Sequence, residues 1–322
     1  MEYVIETNDL TKVYGSGKEA VTAVDHENLR VKKGSIFGIL GPNGAGKTTF
    51  VMMLNGLILP TSGTAKVLGY DIVRESLQIR KNVGLLPEGF GFYDHLTAKQ
   101  NLNYIAALND IPKEERDERV DEILKAVGLD EFKDRKVGGF SRGMKQRLAI
   151  AQTLIKDPEL LIFDEPTAGV DPEGAKAFKD LVSKLNKEQG KTIVICTHLL
   201  FEVGPLCTDV AIMNRGKFVI QGNVEEIVER MMAEEGYRIE VEARGDIGAL
   251  AEELKRLSEI TGVEVKGRNI SINATSDVRA EINRRAAKIK GLEVLSIRRL
   301  EPSLEDLFMK YYQREIGVVA RG

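Results

Sequence analysis

Gly41-Pro42-Asn43-Gly44-Ala45-Gly46-Lys47-Thr48-Thr49 is the stretch whose reading decides the fold. It fits the spacing G-x-x-x-x-G-K-[ST] at every position, and its flanks fit as well. Ile36 to Leu40 before it is a short apolar run, which predicts a buried strand, and Phe50 to Leu54 after it continues as a helix. Its glycines let successive backbone N–H groups turn toward one point without a Cβ in the way. A helix N-terminus closes this concave set of donors, which suits the phosphates of a nucleoside triphosphate. Lys47 adds a point charge for the β- and γ-phosphates, and Thr48 a hydroxyl ligand for Mg²⁺.

Bulk properties narrow the setting. At 322 residues the chain suggests two domains, and 43% hydrophobic with 30% charged residues describes a globular protein with a proper core. A formal net charge of −3 and the lack of a long Lys/Arg run argue against nucleic acid as a partner. No apolar stretch approaches the ~20 residues that span a bilayer. Met1-Glu2-Tyr3 does not open a signal peptide, so the expected location is the cytosol. The two cysteines, Cys196 and Cys207, follow no metal-binding spacing; Cys196 sits in an apolar run and reads as a small core residue.

Upstream of the phosphate loop, residues 3–31 alternate apolar and polar, which predicts antiparallel strands. Within them Tyr14 precedes the turn Gly15-Ser16-Gly17, where a ring more often packs than binds. Downstream, Thr64 to Val67 and Val83 to Leu86 read as strands, the second ending at Pro87-Glu88. Thr97-Ala98-Lys99-Gln100 is a capping box opening a helix, and a charged helix follows from Lys113 to Val127. Ser141 is a good N-cap for the helix that Arg142-Gly143 begins. Leu160 to Phe163 is an apolar strand delivering Asp164 and Glu165 at its carboxyl end, where open parallel sheets bind ligands. Thr192 to Cys196 is a further strand ending at Thr197-His198, and residues 210–222 close the domain as a hairpin.

Residues 223–236 read as a helical linker, and the pattern then changes. Strand 237–243, helix 246–260, hairpin 263–274 around Gly267-Arg268, helix 276–290 and strand 292–300 give the ferredoxin-like order β-α-β-β-α-β. This part carries no catalytic cluster and reads as a docking, folding or regulatory module. After Pro302 a last helix runs to about Gln313. Of the histidines, His26 reads as a surface residue and His95 as structural.

The phosphate loop alone leaves a kinase, a GTPase or an ATPase open. Asp164 can hold Mg²⁺, and Glu165 beside it can act as base for an attacking water. The helix start at Ser141-Arg142-Gly143 is a second anion site, which one chain needs only if it serves a nucleotide held mainly by another copy. In this combination and order, residues 4–221 resemble the nucleotide-binding subunit of an ATP-binding cassette (ABC) transporter, of the drug- and ion-exporter branch whose ATPase is a separate polypeptide. Leu300-Glu301-Pro302-Ser303-Leu304-Glu305-Asp306-Leu307-Phe308 resembles the end of that branch.

The resemblance implies an ABC-type P-loop α/β domain over 1–223, with an antiparallel β subdomain and a helical insert at about 88–157. A linker at 224–236 and a ferredoxin-like α+β accessory domain over 237–322 complete the expectation. It further implies that Tyr14 stacks on adenine and that Gly41 to Thr49 cradle the phosphates of ATP. Thr48, Asp164 and Glu88 are then placed at Mg²⁺, with Glu165 as catalytic carboxylate and His198 as the switch at the γ-phosphate. Ser141, Arg142 and Gly143 fall to the nucleotide of the opposite subunit in a head-to-tail dimer, and Asp171 to communication between the sites. The insert then faces a separately encoded membrane permease, placing the chain at the cytoplasmic face of the membrane. Two residues depart from the pattern: Arg142 replaces the usual first glycine after the signature serine, and Glu88 the usual glutamine. A positive φ at Arg142 would strain it; alternatively its guanidinium could itself approach phosphate. The alternative function is a non-transport ABC ATPase of nucleic-acid repair or translation, but such chains carry paired cassettes or basic inserts.

Overall fold

The computed structural model of the chain describes residues 2–199 and 203–300. The alternating N-terminal segment folds into β1 (Tyr3–Tyr14), β2 (Val21–Glu27) and β3 (Arg30–Lys32). Next, β4 (Ile36–Leu40) is buried at every residue and leads into α1 (Lys47–Leu54). β1 pairs antiparallel with β2, β3 and β5 (Ser62–Val67), and the short β6 (Tyr70–Asp71) pairs with β5. Ile5, Val24, Val31 and Val67 from this sheet share one buried cluster with Phe50, Met53 and Leu54 of α1. Phe50 also meets Phe218 edge to face, with ring centroids 5.1 Å apart.

The remaining elements of this unit are α2 (Ser76–Asn82), β7 (Val83–Leu86), α3 (Ala98–Leu108), α4 (Lys113–Ala126), α5 (Arg142–Leu154), β8 (Leu160–Asp164), α6 (Pro172–Gln189), β9 (Thr192–Thr197), β10 (Asp209–Asn214) and β11 (Lys217–Asn223). A second sheet has the order β11-β10-β4-β9-β8-β7, parallel throughout except for β11. β4, β8 and β9 are buried along their whole length, as continuous apolar runs in a covered parallel sheet should be. The helical insert starts at the capping box: the Gln100 N–H donates to Thr97 Oγ1 (3.1 Å) and the Thr97 N–H to Gln100 Oε1 (2.9 Å). Among the described residues no helix is long and apolar enough to cross a membrane.

A second compact unit begins at Val224. The segment read as a linker is the helix α7 (Val224–Glu235), which groups with this unit. It is followed by β12 (Tyr237–Arg244), α8 (Ile247–Lys255), β13 (Ile260–Lys266), β14 (Asn269–Ala274), α9 (Arg279–Ala286) and β15 (Glu293–Leu300). The sheet order β13-β14-β12-β15, with every neighbour antiparallel, is the ferredoxin-like arrangement. Ile239, Val241, Ile270 and Ile272 form its core with Leu250, Leu254 and Ile282 of the helices. Both helices are shorter than their sequence suggests. The first gives way because Ile260 already belongs to β13, and the second starts at Arg279, after Asp277 has turned the chain by accepting from the Arg279 N–H. The tail from Glu301, with the expected helix to Gln313, lies outside the described residues.

Both cysteines are free and buried in the first unit. Burial pushes the Cys207 thiol up to about 12 and the Cys196 thiol well above its usual range.

Candidate active site

The parallel sheet sets the geometry. Leu40 lies opposite Thr197 and Asp164 opposite Cys196, so the segments after β4, β8 and β9 leave the sheet at one edge. The Gly41 N–H donates to the Thr197 carbonyl (3.2 Å) and the Glu165 N–H to that of Cys196 (2.8 Å), tying each exit to its neighbour. This carboxyl edge is where such sheets bind ligands.

The loop from Gly41 to Thr49 is wedged between neighbouring backbones. A Cβ on Gly41 meets the Met213 carbonyl oxygen at 2.2 Å, and one on Gly46 meets that of Ala23 at 2.1 Å, with φ at +108°. No other residue fits at either position without moving the chain. The Ala45 N–H donates to the Pro42 carbonyl and the Gly216 N–H to that of Ala45 (2.8 Å), while Asn43 and Gly44 stand exposed at the tip. Lys47, 5% exposed, donates from Nζ to the carbonyls of Gly41 (2.8 Å) and Pro42 (3.1 Å).

Glu165 faces this lysine. Its Oε1 lies 3.4 Å from Lys47 Nζ, and both side chains are buried. Its Oε2 accepts from the Thr197 hydroxyl at 3.0 Å and lies 2.9 Å from His198 Nδ1. The backbone at Glu165 is left-handed (φ +49°), a conformation that costs free energy for any residue carrying a Cβ and that persists only where surroundings enforce it. One carboxylate is thus divided between a cation and a Thr-His pair.

Asp164 is almost wholly buried, and its Oδ1 has no hydrogen-bond partner. Burial raises its pKa above the ordinary 3.8; the charges of Glu165 and Glu88 push the same way, against a Thr48 hydrogen bond and Lys47. A hard cation at the Thr48 hydroxyl and the orphaned Asp164 oxygen satisfies both, so this donor set fits Mg²⁺. Because the folded pKa is raised, the folded chain holds this proton more tightly than the unfolded one. Asp164 therefore costs stability that grows as pH rises from 3.8 toward the raised value. Asp164→Asn is expected to stabilise the nucleotide-free chain in EDTA by about 1 kcal/mol at pH 7. Denaturant unfolding at pH 7 and near pH 4 checks this: the gain should shrink at the lower pH.

The other expected residues lie on several segments of the first unit. Glu88 follows β7, exposed, near enough to Asp164 to act on its charge. Tyr14 ends β1 opposite Val21, two residues along β2 from the Ala23 that abuts Gly46; the residue is 41% exposed, with Lys12 Nζ 5.1 Å from the ring centroid. Ser141 caps α5 by accepting from the Met144 N–H (3.2 Å), and Asp171 caps α6 by accepting from the Gly174 N–H (2.7 Å). Among the described residues no hydrogen bond or ion pair joins 141–143 to the loop 41–49. Arg142 has no left-handed backbone, contrary to one expectation, because it is simply the first residue of α5. Its guanidinium donates to the Gly169 carbonyl (2.8 Å), within its own chain. Sequence reasoning missed Thr197 as a partner of Glu165; a hydroxyl at the end of an apolar strand, next to His198, was the available signal.

Known proteins resemble the chain in both of its units. A family model described as ABC transporter matches residues 24–168, and one described as ATP-binding protein DrrA1-3-like, C-terminal domain, matches residues 222–312. The chain is 38% identical to the bacitracin transport ATP-binding protein BcrA of Bacillus licheniformis, over 96% of this chain and 97% of that one. It is 37% identical to the ABC transporter ATP-binding protein NatA of Bacillus subtilis, over 72% and 94%. Among solved structures it resembles the dimeric post-hydrolysis ATP-binding cassette MJ0796 bound to ADP and Pi (TM-score 0.62, 28% identity, 68% of this chain and 98% of that one). It also resembles cbiO1 of Clostridium perfringens, part of the ABC transporter complex cbiONQ (TM-score 0.63, 31% identity, 72% and 95%).

Proposed function

The chain belongs to the family of ABC transporter ATP-binding subunits, and from that premise we propose how its residues divide the work of hydrolysing ATP and driving export. The chain binds ATP and hydrolyses it. The observation that carries the assignment of roles is the meeting of Lys47, Glu165, Thr197 and His198 at one edge of the sheet.

Lys47 and the N–H groups of 41–49 hold the β- and γ-phosphates, and Tyr14 stacks on adenine. Thr48 and Asp164 hold Mg²⁺, with Glu88 beside them; the ion, when bound, neutralises charge on the phosphate oxygens. Glu165 takes the proton of the attacking water as its oxygen bonds to the γ-phosphorus, the bond to ADP breaks, and phosphate leaves. Thr197 and His198 fix the Glu165 carboxylate in place, and His198 reaches the γ-phosphate. Ser141 and Gly143 meet the nucleotide of a second copy, so two chains close head to tail on two ATP molecules. The likeness to a dimeric cassette and to a bacitracin transport protein supports this reading.

The dimer works through a separately encoded membrane-spanning permease, at the cytoplasmic face of the membrane. Tagged chain recovered from detergent-solubilised native membranes should bring a multi-span protein with it at comparable stoichiometry. Recovery only with ribosomes or nucleic acid, with a salt-sensitive gel shift, would instead favour a non-transport ABC ATPase.

A further inference from the structure

We propose that Arg142 is a positioning residue for hydrolysis: its guanidinium fastens the start of α5 to the turn that follows Glu165, so that the two move as one piece. The inference rests on the ATPase reading above and concerns a residue that departs from the family signature.

Four features point to it. First, Arg142 Nη1 donates to the carbonyl of Gly169, 27 residues on, at 2.8 Å. Second, the two residues fit each other: a Cβ on Gly169 would lie 2.4 Å from Nη1 and 2.9 Å from Cζ, and Gly169 has φ +69°. The guanidinium therefore lies against the bare face of a glycine whose backbone disfavours any side chain. Third, the helices already touch beside this tie, since a Cβ on Gly174 would lie 3.6 Å from Gly143 Cα. Fourth, the turn is continuous with the base. The Ala168 N–H donates to the Glu165 carbonyl (3.3 Å), the Val170 N–H to that of Thr167 (3.1 Å), and Asp171 caps α6.

A movement of the Ser141 end of α5 is thus passed through one charge-assisted hydrogen bond to the segment that sets Glu165. A glycine at position 142 has no side chain to do this. Arg142 is exposed and its helix start is capped by Ser141 without it, so its loss should leave the fold intact. The effect falls on geometry at the reacting end, which reads as kcat and not KM.

The test is steady-state ATP hydrolysis by the full chain with Arg142→Met, Gly169→Ala and both together, each first shown by its Tm to be folded. Met keeps the apolar stem and removes the donors; the added methyl of Ala displaces the guanidinium. Each single variant should lose about tenfold in kcat, the scale of one charge-assisted hydrogen bond, with KM for ATP within about twofold. The double variant should lose about tenfold and not a hundredfold, because both changes remove the same contact. Multiplying losses overturn the proposal, as does wild-type kcat in Arg142→Met. A raised KM with unchanged kcat also overturns it, placing the guanidinium on nucleotide. If Gly169→Ala does not fold, the kcat–KM split of Arg142→Met decides alone. A wild-type chain that hydrolyses no ATP strikes at the ATPase reading instead.

Discussion

Glu165→Gln is expected to lower ATP turnover ~10²–10⁴-fold, the usual worth of a general base, while ATP still binds. Glutamine keeps the length of the side chain and can still accept from the Thr197 hydroxyl, so the left-handed backbone at 165 need not change. What it cannot do is take a proton from water. It also removes a negative charge 3.4 Å from Lys47, in a buried setting where charges are poorly screened. ATP affinity should therefore hold or rise, and the closed dimer should persist because its nucleotide is not consumed. Phosphate release in single turnover and size-exclusion chromatography with ATP measure the two effects. Hydrolysis at the wild-type rate would falsify the assignment of Glu165 as base.

Lys47→Ala should abolish ATP binding at micromolar concentrations, weakening affinity by about 100-fold or more. The ammonium is the one buried cation of the phosphate loop, already aimed at the loop's centre by the carbonyls of Gly41 and Pro42. Its removal also leaves Glu165 buried beside no cation, a loss of about 3 kcal/mol in the chain itself. Calorimetric titration with ATP, run with a melting curve of each protein, separates the two. A folded variant with unchanged affinity would undo the phosphate-loop assignment.

The sheet and the loop were legible because their signals are local. Leu160 to Asp164 is an unbroken apolar run with an acid at its end, and Gly41 to Thr49 has a spacing that few other structures use. The ferredoxin-like unit was legible from the order of its periods alone. The helix Ser76–Asn82 was not, since it buries only Ile79 and so has no repeating face. Helix ends at Lys255 and Ala286 were set by where the next strand or turn begins, which propensity does not encode. In the site, residue types could be read but not their pairings. The Lys47–Glu165 and Thr197–Glu165 contacts join segments far apart in sequence, brought together by strand register. Arg142 shows the limit plainly: its sequence suggested strain or phosphate, and its partner is a carbonyl that no local rule singles out.

The chain has no tryptophan, so its unfolding has no strong intrinsic fluorescence to follow. The two sealed cysteines supply a chemical clock instead. A pulse of iodoacetamide can reach Cys196 or Cys207 only when the unit holding the phosphate loop opens, because both thiols are shielded and held far from ionisation. Both sulfurs belong to that unit, so opening of the C-terminal one leaves no mark. Alkylation slowed by added ATP then yields, from one mass spectrum per time point, both the opening free energy and the nucleotide's affinity.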